Sequence, residues 1–243
     1  MTAPIAIVGA MHEEISALLP CLEQAQAVRR GGRDFHVGRL EGHDVILARS
    51  GIGKVAAATT CAVLLDAFGA AALLFTGVAG GLGERVRVGD IVVATELLQH
   101  DMDASPLFPR WEVPLTGRAR FAADAAWTAR VAESCRTLAT SRARTPRAMV
   151  HEGLVLSGDR FVSTHAESDR LRAELPDALA VEMEGAALAQ VCHDFGRPFA
   201  VVRTISDRAD DAAHGDFQRF IDEVAAPYSR DIVRATLAHL AAV

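Results

Sequence analysis

Short apolar runs recur along this chain and alternate with segments of helical periodicity. Ile5–Val8, Ala72–Thr76 and Phe199–Val202 are such runs, and Lys54–Phe68, between two of them, has apolar residues at helical spacing. A short, continuous apolar run is typical of a strand buried on both faces, and strands that alternate with helices favour a mostly parallel sheet. We therefore predict an α/β fold whose sheet is flanked by helices on both sides.

The same patterns set the boundaries of the predicted elements. Strands are predicted at Ile5–Val8, Asp34–Leu40, Asp44–Ser50, Ala72–Thr76, Asp90–Leu98, Ala148–Ser157, Ala178–Met183 and Phe199–Ile205. Helices are predicted at Glu13–Leu19, Lys54–Phe68, Arg118–Ala139, Thr164–Leu175, Glu184–Phe195 and Asp216–Ala242. His100–Arg118 lacks periodicity and is predicted to be a long, functional loop. Without repeats or a linker, residues 1–243 are expected to form one domain.

Composition narrows the classes of function. The net charge is -6 and no basic run occurs, which argues against a nucleic-acid partner. No apolar stretch approaches the ~18 residues of a membrane span, and the N-terminus lacks a signal-peptide pattern, so we expect a cytoplasmic protein without a membrane partner. The four cysteines are widely spaced, and we expect them to be reduced and structural rather than paired or metal-bound.

Polar or glycine-rich segments follow several predicted strands. They are Glu13-Glu14, Gly77–Gly83, Ser157–Asp159, Glu184 and Asp207. Each has a simpler interpretation alone, because acids are favourable in the first turn of a helix and an aspartate often caps a turn. Ligands of α/β sheets bind at the carboxyl ends of the strands, so all five segments are expected on one edge of the sheet. Together they predict a site that handles hydroxyls and protons.

Two glycine motifs leave alternatives open. Gly51–Ala56 fits the dinucleotide pattern G-x-G-x-x-A, but the next strand ends at Thr76-Gly77 without the acid that would hold a ribose, so a nicotinamide cofactor is not expected. The small residues would instead let the helix pack close to the sheet. Gly77–Gly83 could cradle a phosphate, or let the backbone approach a ligand closely. We favour close approach, because no Gly-Lys-Ser/Thr follows.

A histidine–aspartate pair and a single arginine also have more than one interpretation. His100-Asp101 suggests a metal, but the chain has no HExxH motif and no cysteine ligand set, so neither a metal nor a cofactor is expected. Arg203 precedes Asp207 on the same apolar run. It is expected either to pair with an acid or to steer an anionic or hydroxyl-rich substrate.

The ordered set of motifs is similar to that of a known enzyme family. The matching segments are Gly9–Glu14, Ser50–Ala57, Thr76–Gly81, Val88–Val93, His100-Asp101, Ser157–Phe161, Val181–Glu184 and Arg203–Asp207. Through them the chain resembles, nearly end to end, the 5'-methylthioadenosine/S-adenosylhomocysteine nucleosidases of the nucleoside phosphorylase superfamily. The resemblance implies a three-layer sandwich with a central mixed, mostly parallel sheet. It also implies a homodimeric hydrolase of methionine salvage that frees adenine and the 5-thioribose without a cofactor.

The resemblance assigns residues to the base end of the substrate. Asp207 would protonate N7 of the leaving adenine, and Ser206 would orient the Asp207 carboxyl. Phe161 would stack on the base and the backbone of Val162 would read its edge. The ribose and base would be lined by Ala79 and Gly80. The pKa of a free aspartic acid is ~3.9, so burial has to raise the pKa of Asp207 towards neutrality for this role.

The resemblance also assigns residues to the sugar and the attacking water. Glu14 would accept a proton from water, with Arg203 nearby. Glu184 would hold the ribose hydroxyls, helped by the backbone of Met183. We expect Glu184 to be ionised, because a helix N-terminus favours the negative charge that would stabilise a ribosyl cation. Glu182 receives no chemical role and is expected to be structural.

Three features bear on the choice among related functions. An acid at Glu14 would repel inorganic phosphate, which favours hydrolysis over phosphorolysis. Val78 replaces a serine common in these nucleosidases, and the loop 103–115 matches them poorly. In the family this loop, often from the neighbouring subunit, helps to form the pocket for the 5' substituent. The alternatives are a futalosine-type nucleosidase, a phosphorylase, a nucleoside-binding protein without activity and a dehydrogenase.

Overall fold

Side-chain alternation in the strands directs apolar residues to both faces of a central sheet. The computed structural model describes residues 3–141, 148–211 and 213–241. Its first strand, β1 (Ile5–Gly9), sends Ala6 and Val8 into one core and Ile7 into another, and all three are buried. Successive residues of a strand point to opposite sides. The continuous apolar runs of the sequence therefore correspond to strands covered on both faces.

The described chain has ten strands and seven α-helices. The other strands are β2 (Glu23–Arg30), β3 (Arg33–Leu40), β4 (His43–Arg49), β5 (Ala72–Gly81), β6 (Ile91–Gln99), β7 (Arg120–Ala122), β8 (Val150–Ser157), β9 (Ala178–Glu182) and β10 (Phe199–Asp207). The helices are α1 (His12–Ile15), α2 (Lys54–Asp66), α3 (Ala125–Ser141), α4 (His165–Glu174), α5 (Gly185–Asp194), α6 (Ala213–Phe220) and α7 (Ala226–Ala241). A 3₁₀ turn spans Leu19–Cys21, and a π-helical turn, Ile221–Ala225, joins α6 to α7.

The strands form one mixed sheet, part of which closes on itself. From its β2 edge the order is β2-β3-β4-β1-β5, and β5 pairs with both β9 and β10. Since β9 pairs with β8, β8 with β6 and β6 with β10, these strands and β5 form a closed ring. Five pairings of the described strands are parallel and five are antiparallel. The predicted mixed sheet is confirmed, but parallel pairings are not in the majority, because β2–β4 form a meander and β9 runs against β5.

Helices cover both faces of this sheet, which gives the three layers that the resemblance implies. On one face α2 packs against α5, and Leu64 and Leu188 enter a core with residues of β1 and β5. On the other face α3 packs against α7, and Val131 and Ile232 enter a second core. The predicted α/β sandwich is therefore confirmed.

Several predicted boundaries are wrong because tertiary pairing determines them. The edge strand β2 is polar and exposed, so no apolar pattern reveals it. The predicted helix Arg118–Ala139 begins instead as β7, which pairs with β6, and α3 starts only at Ala125. The predicted helix Glu13–Leu19 is the shorter α1. The predicted helix Asp216–Ala242 begins at Ala213, and Ala242 lies outside the described residues.

Two further boundaries differ where the site forms. β5 extends through the glycines to Gly81, and β10 extends to Asp207, because the two strands pair in parallel from Phe199↔Leu73 to Asp207↔Gly80. The glycines predicted to follow the strand are thus its carboxyl half. The last residues of β9 pair antiparallel with the last residues of β5, with Val181 opposite Gly80. The expected strand ends therefore converge through ring closure, not along one edge of a parallel sheet.

No helix in the part of the chain that the structure describes is long and apolar enough to span a bilayer.

Candidate active site

A cavity of about 330 Å³ lies where the carboxyl ends of β1, β5, β9 and β10 meet. Its wall includes every predicted site residue except Arg203: Glu14, Ala79, Gly80, Phe161, Val162, Met183, Glu184, Ser206 and Asp207. Ligand sites of small molecules are typically ~300–1,000 Å³. The cavity is therefore large enough for a small ligand, and it gathers residues that are distant in the sequence.

Glu14 projects from the short helix α1 and is buried. Its Oε2 accepts hydrogen bonds from the amides of Ala10 (2.6 Å) and Met11 (2.9 Å), and its Oε1 accepts one from the amide of Val78 (3.0 Å). Burial raises the pKa of Glu14 above its ordinary value, although nearby Arg203 and these amides oppose the rise. A carboxylate that is fixed in place and has a raised pKa is suited to accept a proton.

Gly77 of β5 supplies the space that the Glu14 carboxyl occupies. A Cβ at residue 77 would lie 2.5 Å from Glu14 Oε1 and 3.1 Å from Arg203 Nη1. This glycine serves close approach of side chains to the backbone, not a turn. The sequence interpretation favoured close approach of the backbone to a ligand, whereas the group that lies against Gly77 is the Glu14 carboxyl of the protein itself.

Arg203 lies behind the cavity wall and does not line the cavity. It is fully buried, donates to Glu182 Oε2 through Nη2 (2.6 Å) and Nε (3.3 Å), and its guanidinium lies 4.0 Å from the centroid of the Phe75 ring. The two sequence expectations were pairing with an acid and contact with substrate. The structure shows the pairing, and it places Arg203 close enough to Glu14 to lower the pKa of that carboxyl.

Asp207 ends β10 and is buried beside Gly80. Its Oδ2 accepts a hydrogen bond from Ser206 Oγ (2.7 Å), and its Oδ1 accepts one from the amide of Ala209 (2.8 Å). Ala209 has a φ of 52°, a conformation that L-residues rarely adopt, and this turn brings its amide back to the carboxyl. A Cβ at Gly80 would lie 2.9 Å from Asp207 Oδ1, so the cavity wall here also requires glycine.

The two carboxyl groups are separated along β5. Glu14 bonds to Val78 and contacts Gly77, whereas Asp207 is paired with Gly80. Two to three residues of strand at ~3.3 Å each give a separation of roughly 7–10 Å. Glycosidases in which water attacks directly hold their acid and base ~6.5–9.5 Å apart, with the reacting bond and the water between them. The arrangement suits a general acid and a general base on opposite sides of one bond.

The surroundings of Glu184 differ from the expected ones, in which a helix N-terminus would favour its ionised form. It precedes α5, but the amides of Glu184 and Gly185 donate to the carboxyl of Glu182 at 2.9–3.2 Å. Glu184 instead accepts one hydrogen bond, from the amide of Gly53 (2.8 Å). Burial, reinforced by the neighbouring Glu182, raises the pKa of Glu184 to about 8. The amides at the helix N-terminus therefore bond to Glu182, and burial favours the protonated form of Glu184.

Glu182 is the buried charge around which this part of the site is built. Besides the amides of α5 it accepts hydrogen bonds from Ser157 Oγ and from Arg203. Ser157 Oγ in turn accepts a hydrogen bond from the amide of Ala186 (2.7 Å). The expectation that Glu182 is structural agrees with these contacts, although it also lines the cavity.

The opposite wall is aromatic and apolar. Phe161 and Val162 lie after β8, and the ring of Phe161 meets that of Phe217 edge-on at 5.5 Å between centroids. Phe217 comes from α6 and gave no signal in the sequence. Met11 and Ile52 also line the cavity and were not predicted, although both lie within matched motifs. This wall provides a flat, apolar surface for an aromatic base.

A polar brace joins three loops beside the cavity. Lys54 Nζ contacts Asp101 Oδ1 (2.6 Å), the amide of Lys54 donates to Asp159 Oδ1 (2.8 Å), and the amide of Asp159 donates to Asp101 Oδ2 (2.9 Å). The brace holds the loop that bonds Glu184 next to the segment that carries Phe161. Asp101 is thus held by two partners within the chain.

The metal interpretation of His100 finds no support in the geometry. The ring is buried against Gly158, burial lowers its pKa, and its nitrogens have no hydrogen-bond partner among the described residues. Within those residues no three His, Cys, Asp or Glu side chains come close enough to hold a metal ion.

Comparison with known proteins places the chain among enzymes of nucleoside metabolism. The family described as the phosphorylase superfamily matches residues 4–238. The 5'-methylthioadenosine/S-adenosylhomocysteine nucleosidase of Anoxybacillus flavithermus (strain DSM 21510 / WK1) is 38% identical over 231 residues, which cover 95% of this chain and 96% of that protein.

Solved structures agree closely with this architecture. The nucleosidase of the same name from Neisseria meningitidis, in complex with methylthio-immucillin-A, superposes with a TM-score of 0.90 and 37% identity over 98% of this chain and 99% of that chain. The futalosine hydrolase of Helicobacter pylori strain 26695 also matches, with a TM-score of 0.89 and 33% identity over 98% and 99% of the two chains. Similarity of this extent covers the cavity and all the strands that form it.

Proposed function

This chain belongs to the phosphorylase superfamily and, within it, to the 5'-methylthioadenosine/S-adenosylhomocysteine nucleosidases, and we propose that Asp207 and Glu14 are the acid and base of its reaction. It is an N-glycosyl hydrolase that separates adenine from the 5-thioribose of these two nucleosides. The observation that carries the assignment is that two buried carboxyls reach one cavity two to three residues apart along β5.

Asp207 is assigned to the leaving group. When the bond between N9 and the ribose C1' breaks, its electron pair moves into the adenine, and a proton from the Asp207 carboxyl neutralises N7. The hydrogen bonds from Ser206 and Ala209 fix the carboxyl for this transfer. A positioned general acid contributes ~10²–10⁴-fold to a rate.

Glu14 is assigned to the nucleophile. Water adds to C1', and the proton that it loses passes to Glu14. The raised pKa of Glu14 makes its carboxylate a stronger base than an exposed glutamate, and its three amide donors hold it in one orientation. The same negative group disfavours inorganic phosphate beside C1', which supports water as the nucleophile.

Glu184 and Met183 are assigned to the ribose. A protonated carboxyl both donates and accepts hydrogen bonds, so Glu184, whose pKa is raised by burial, is able to hold two neighbouring hydroxyls. Phe161 would stack on the adenine, the backbone of Val162 would read its edge, and Ala79 and Gly80 would lie against base and sugar. Arg203 acts through Glu182 and Glu14, as a positioning residue.

A futalosine-type nucleosidase is the second candidate, because the H. pylori futalosine hydrolase superposes almost as well as the nucleosidases. Both activities cut an N-glycosidic bond with water, so the acid and base would have the same roles. The difference lies in the 5' substituent and the base that each accepts.

The decisive experiment measures release of the free base from 5'-methylthioadenosine, S-adenosylhomocysteine and futalosine, with and without phosphate. We expect adenine release from the first two substrates, independent of phosphate. We expect Asp207→Asn to lower kcat by ~10²–10⁴-fold. The control Ser206→Ala, which removes only one hydrogen bond to Asp207, should have a smaller effect. Unchanged turnover in the Asn variant would contradict the acid assignment, and phosphate-dependent turnover would contradict hydrolysis.

Self-association and location are further parts of the proposal. We infer a homodimer from the resemblance, and the exposure of Ile52, Val55, Leu107 and Leu115 supports an apolar contact surface. No residue of loop 103–115, all of which the structure describes, lines the cavity of its own chain. A partner's loop would then complete the wall. A cytoplasmic location agrees with these metabolic substrates, and cell fractionation tests it.

A further inference from the structure

A second, open groove of about 1000 Å³ adjoins the cavity, and no catalytic assignment uses it. Cavity and groove share Ala10, Met11 and Ile52, so they are parts of one continuous depression. The shared wall is rigid at its base, because the amide of Gly51 donates to the carbonyl of Ala10 (3.1 Å) and that of Ser50 donates to the carbonyl of Gly9 (2.9 Å). A ligand in the cavity could therefore extend into the groove past Met11 and Ile52.

The groove has charges without partners of opposite sign. Arg33 Nε lies 3.4 Å from the carbonyl oxygen of Ser50, and Arg49 is paired along the strands with Gly9, beside the shared wall. Among the described residues no carboxylate lies within ion-pair distance of either guanidinium. By contrast Arg29, on the same groove, contacts Asp34 at 3.1 Å. Glu13 of α1, which also lines the groove, likewise has no cation within that distance in the described chain.

The orientation of a nucleoside in the cavity directs its 5' group to this groove. Asp207 and Phe161 mark the base end, and Glu184 marks the ribose. The carboxyl of Glu184 is bonded to the amide of Gly53, the residue after Ile52. The sugar therefore lies next to the wall that leads to the groove, and the base lies on the far side of it.

On the basis of the proposed function, we propose that Arg33 and Arg49 bind the carboxylate of the homocysteinyl group of S-adenosylhomocysteine, with Glu13 facing its ammonium group. An amino-acid head group carries an ammonium and a carboxylate on one carbon, and residues of both charges line the groove. 5'-Methylthioadenosine ends in a methyl group and does not reach these residues. The arginines would thus set the preference between the two substrates without affecting the chemistry.

The test compares Arg33→Gln, Arg49→Gln and the double variant with the wild type on both nucleosides. An exposed ion pair contributes up to ~1 kcal/mol, so we expect each substitution to lower kcat/KM for S-adenosylhomocysteine by about fivefold, mainly through KM. The value for 5'-methylthioadenosine should stay within about twofold, which also reports correct folding. Arg39→Gln is the matched control, because Arg39 is on the same strand as Arg33 but outside the groove.

A second probe requires no variant. The methyl ester of S-adenosylhomocysteine lacks the negative charge, so the wild type should handle it about as poorly as the double variant handles the acid. Equal losses on both nucleosides, or no loss on either, would overturn the proposal, and so would an ester that matches the acid. Failure of the wild type to release adenine from 5'-methylthioadenosine would instead contradict the proposed function itself.

Discussion

The substitution Gly77→Ala tests the placement of Glu14, the proposed base, because it adds one methyl group beside the Glu14 carboxyl. A Cβ there would meet Glu14 Oε1 at 2.5 Å, and both Glu14 and the neighbouring Arg203 are buried and held by hydrogen bonds. The carboxyl would have to move, and a displacement of about 1 Å can cost ~10²-fold in rate. We therefore expect Gly77→Ala to lower kcat by ~10²-fold, measured as adenine release at saturating substrate.

The matched control for this substitution is Gly215→Ala. Gly215 lies in α6, and a Cβ there would meet nothing within 4 Å. This variant should keep wild-type turnover, since alanine favours a helix. Full activity in Gly77→Ala would mean that Glu14 is not held where the reaction needs it.

The raised pKa of Glu184 predicts a dependence of stability on pH. Its pKa is about 8 in the folded chain and near its ordinary 4.5 when unfolded, so the folded state binds more protons between these values. The free energy of unfolding therefore decreases as pH rises through that window. Glu184→Gln removes this ionisation, so we expect the stability of the variant relative to the wild type to rise by about 4 kcal/mol between pH 5 and pH 9. Urea unfolding at pH 5 and pH 9 measures it, and an equal difference at both pH values would contradict the raised pKa.

The sequence predicted the acids that line the cavity, but not that the helix amides bond to Glu182 and leave Glu184 without them. From the sequence, Glu184 stood at the start of a helix, where a negative charge is favoured. The structure gives the helix amides to Glu182, two residues earlier, because its side chain folds back over the N-terminus. The direction of the side chains decides whether Glu182 or Glu184 accepts the helix amides. Arg203, which is distant in the sequence, fixes the direction of Glu182 through their hydrogen bonds.

At the scale of elements, the start of α5 depends on one buried ion pair. Removing a single partner from such a pair costs ~3–5 kcal/mol, because the other charge is left buried. We expect Glu182→Ala to lower the free energy of unfolding by about that amount, since Arg203 would lose its carboxylate and α5 its cap. The exposed pair Arg110–Glu174 is the control, and Glu174→Ala should cost at most ~1 kcal/mol in the same urea titration. Equal losses would show that burial adds nothing to the Glu182 pair.

For the strands that form the site, the sequence predicted the central residues more accurately than the residues at the ends. The apolar runs located β1, β5, β9 and β10, because burial on both faces leaves a direct mark in composition. The glycines of β5 resembled a loop, and only pairing with β10 makes them a strand. β2 was not predicted, because an exposed edge strand needs no apolar residues and leaves no apolar run in the sequence.

At the scale of the whole molecule, ring closure explains why residues far apart in the sequence share one cavity. β9 pairs antiparallel with the end of β5, with Val181 opposite Gly80, and β10 runs beside β5, so Glu184, Asp207 and Glu14 line one cavity at the carboxyl end of β5. Alternation of strands and helices predicts the layers but does not specify which strands close the ring. That information entered through the resemblance to a family.

Self-association is also a property of the whole molecule. Val55 is the second residue of α2, is 78% exposed and lies close in sequence to Ile52 of the cavity wall. Leu107 and Leu115 are exposed on the loop expected to complete a partner's site. A glutamate at residue 55 suits the first turn of a helix, so Val55→Glu should fold normally. It would place charge in the apolar contact, and we expect weaker dimers in sedimentation and a higher KM for 5'-methylthioadenosine, with both effects relieved at high protein concentration.

Met149→Glu changes an equally apolar residue, 60% exposed, outside the cavity wall, and should alter neither. A monomer with unchanged KM would contradict completion of the site by a partner, because each chain would then bind substrate with its own residues alone.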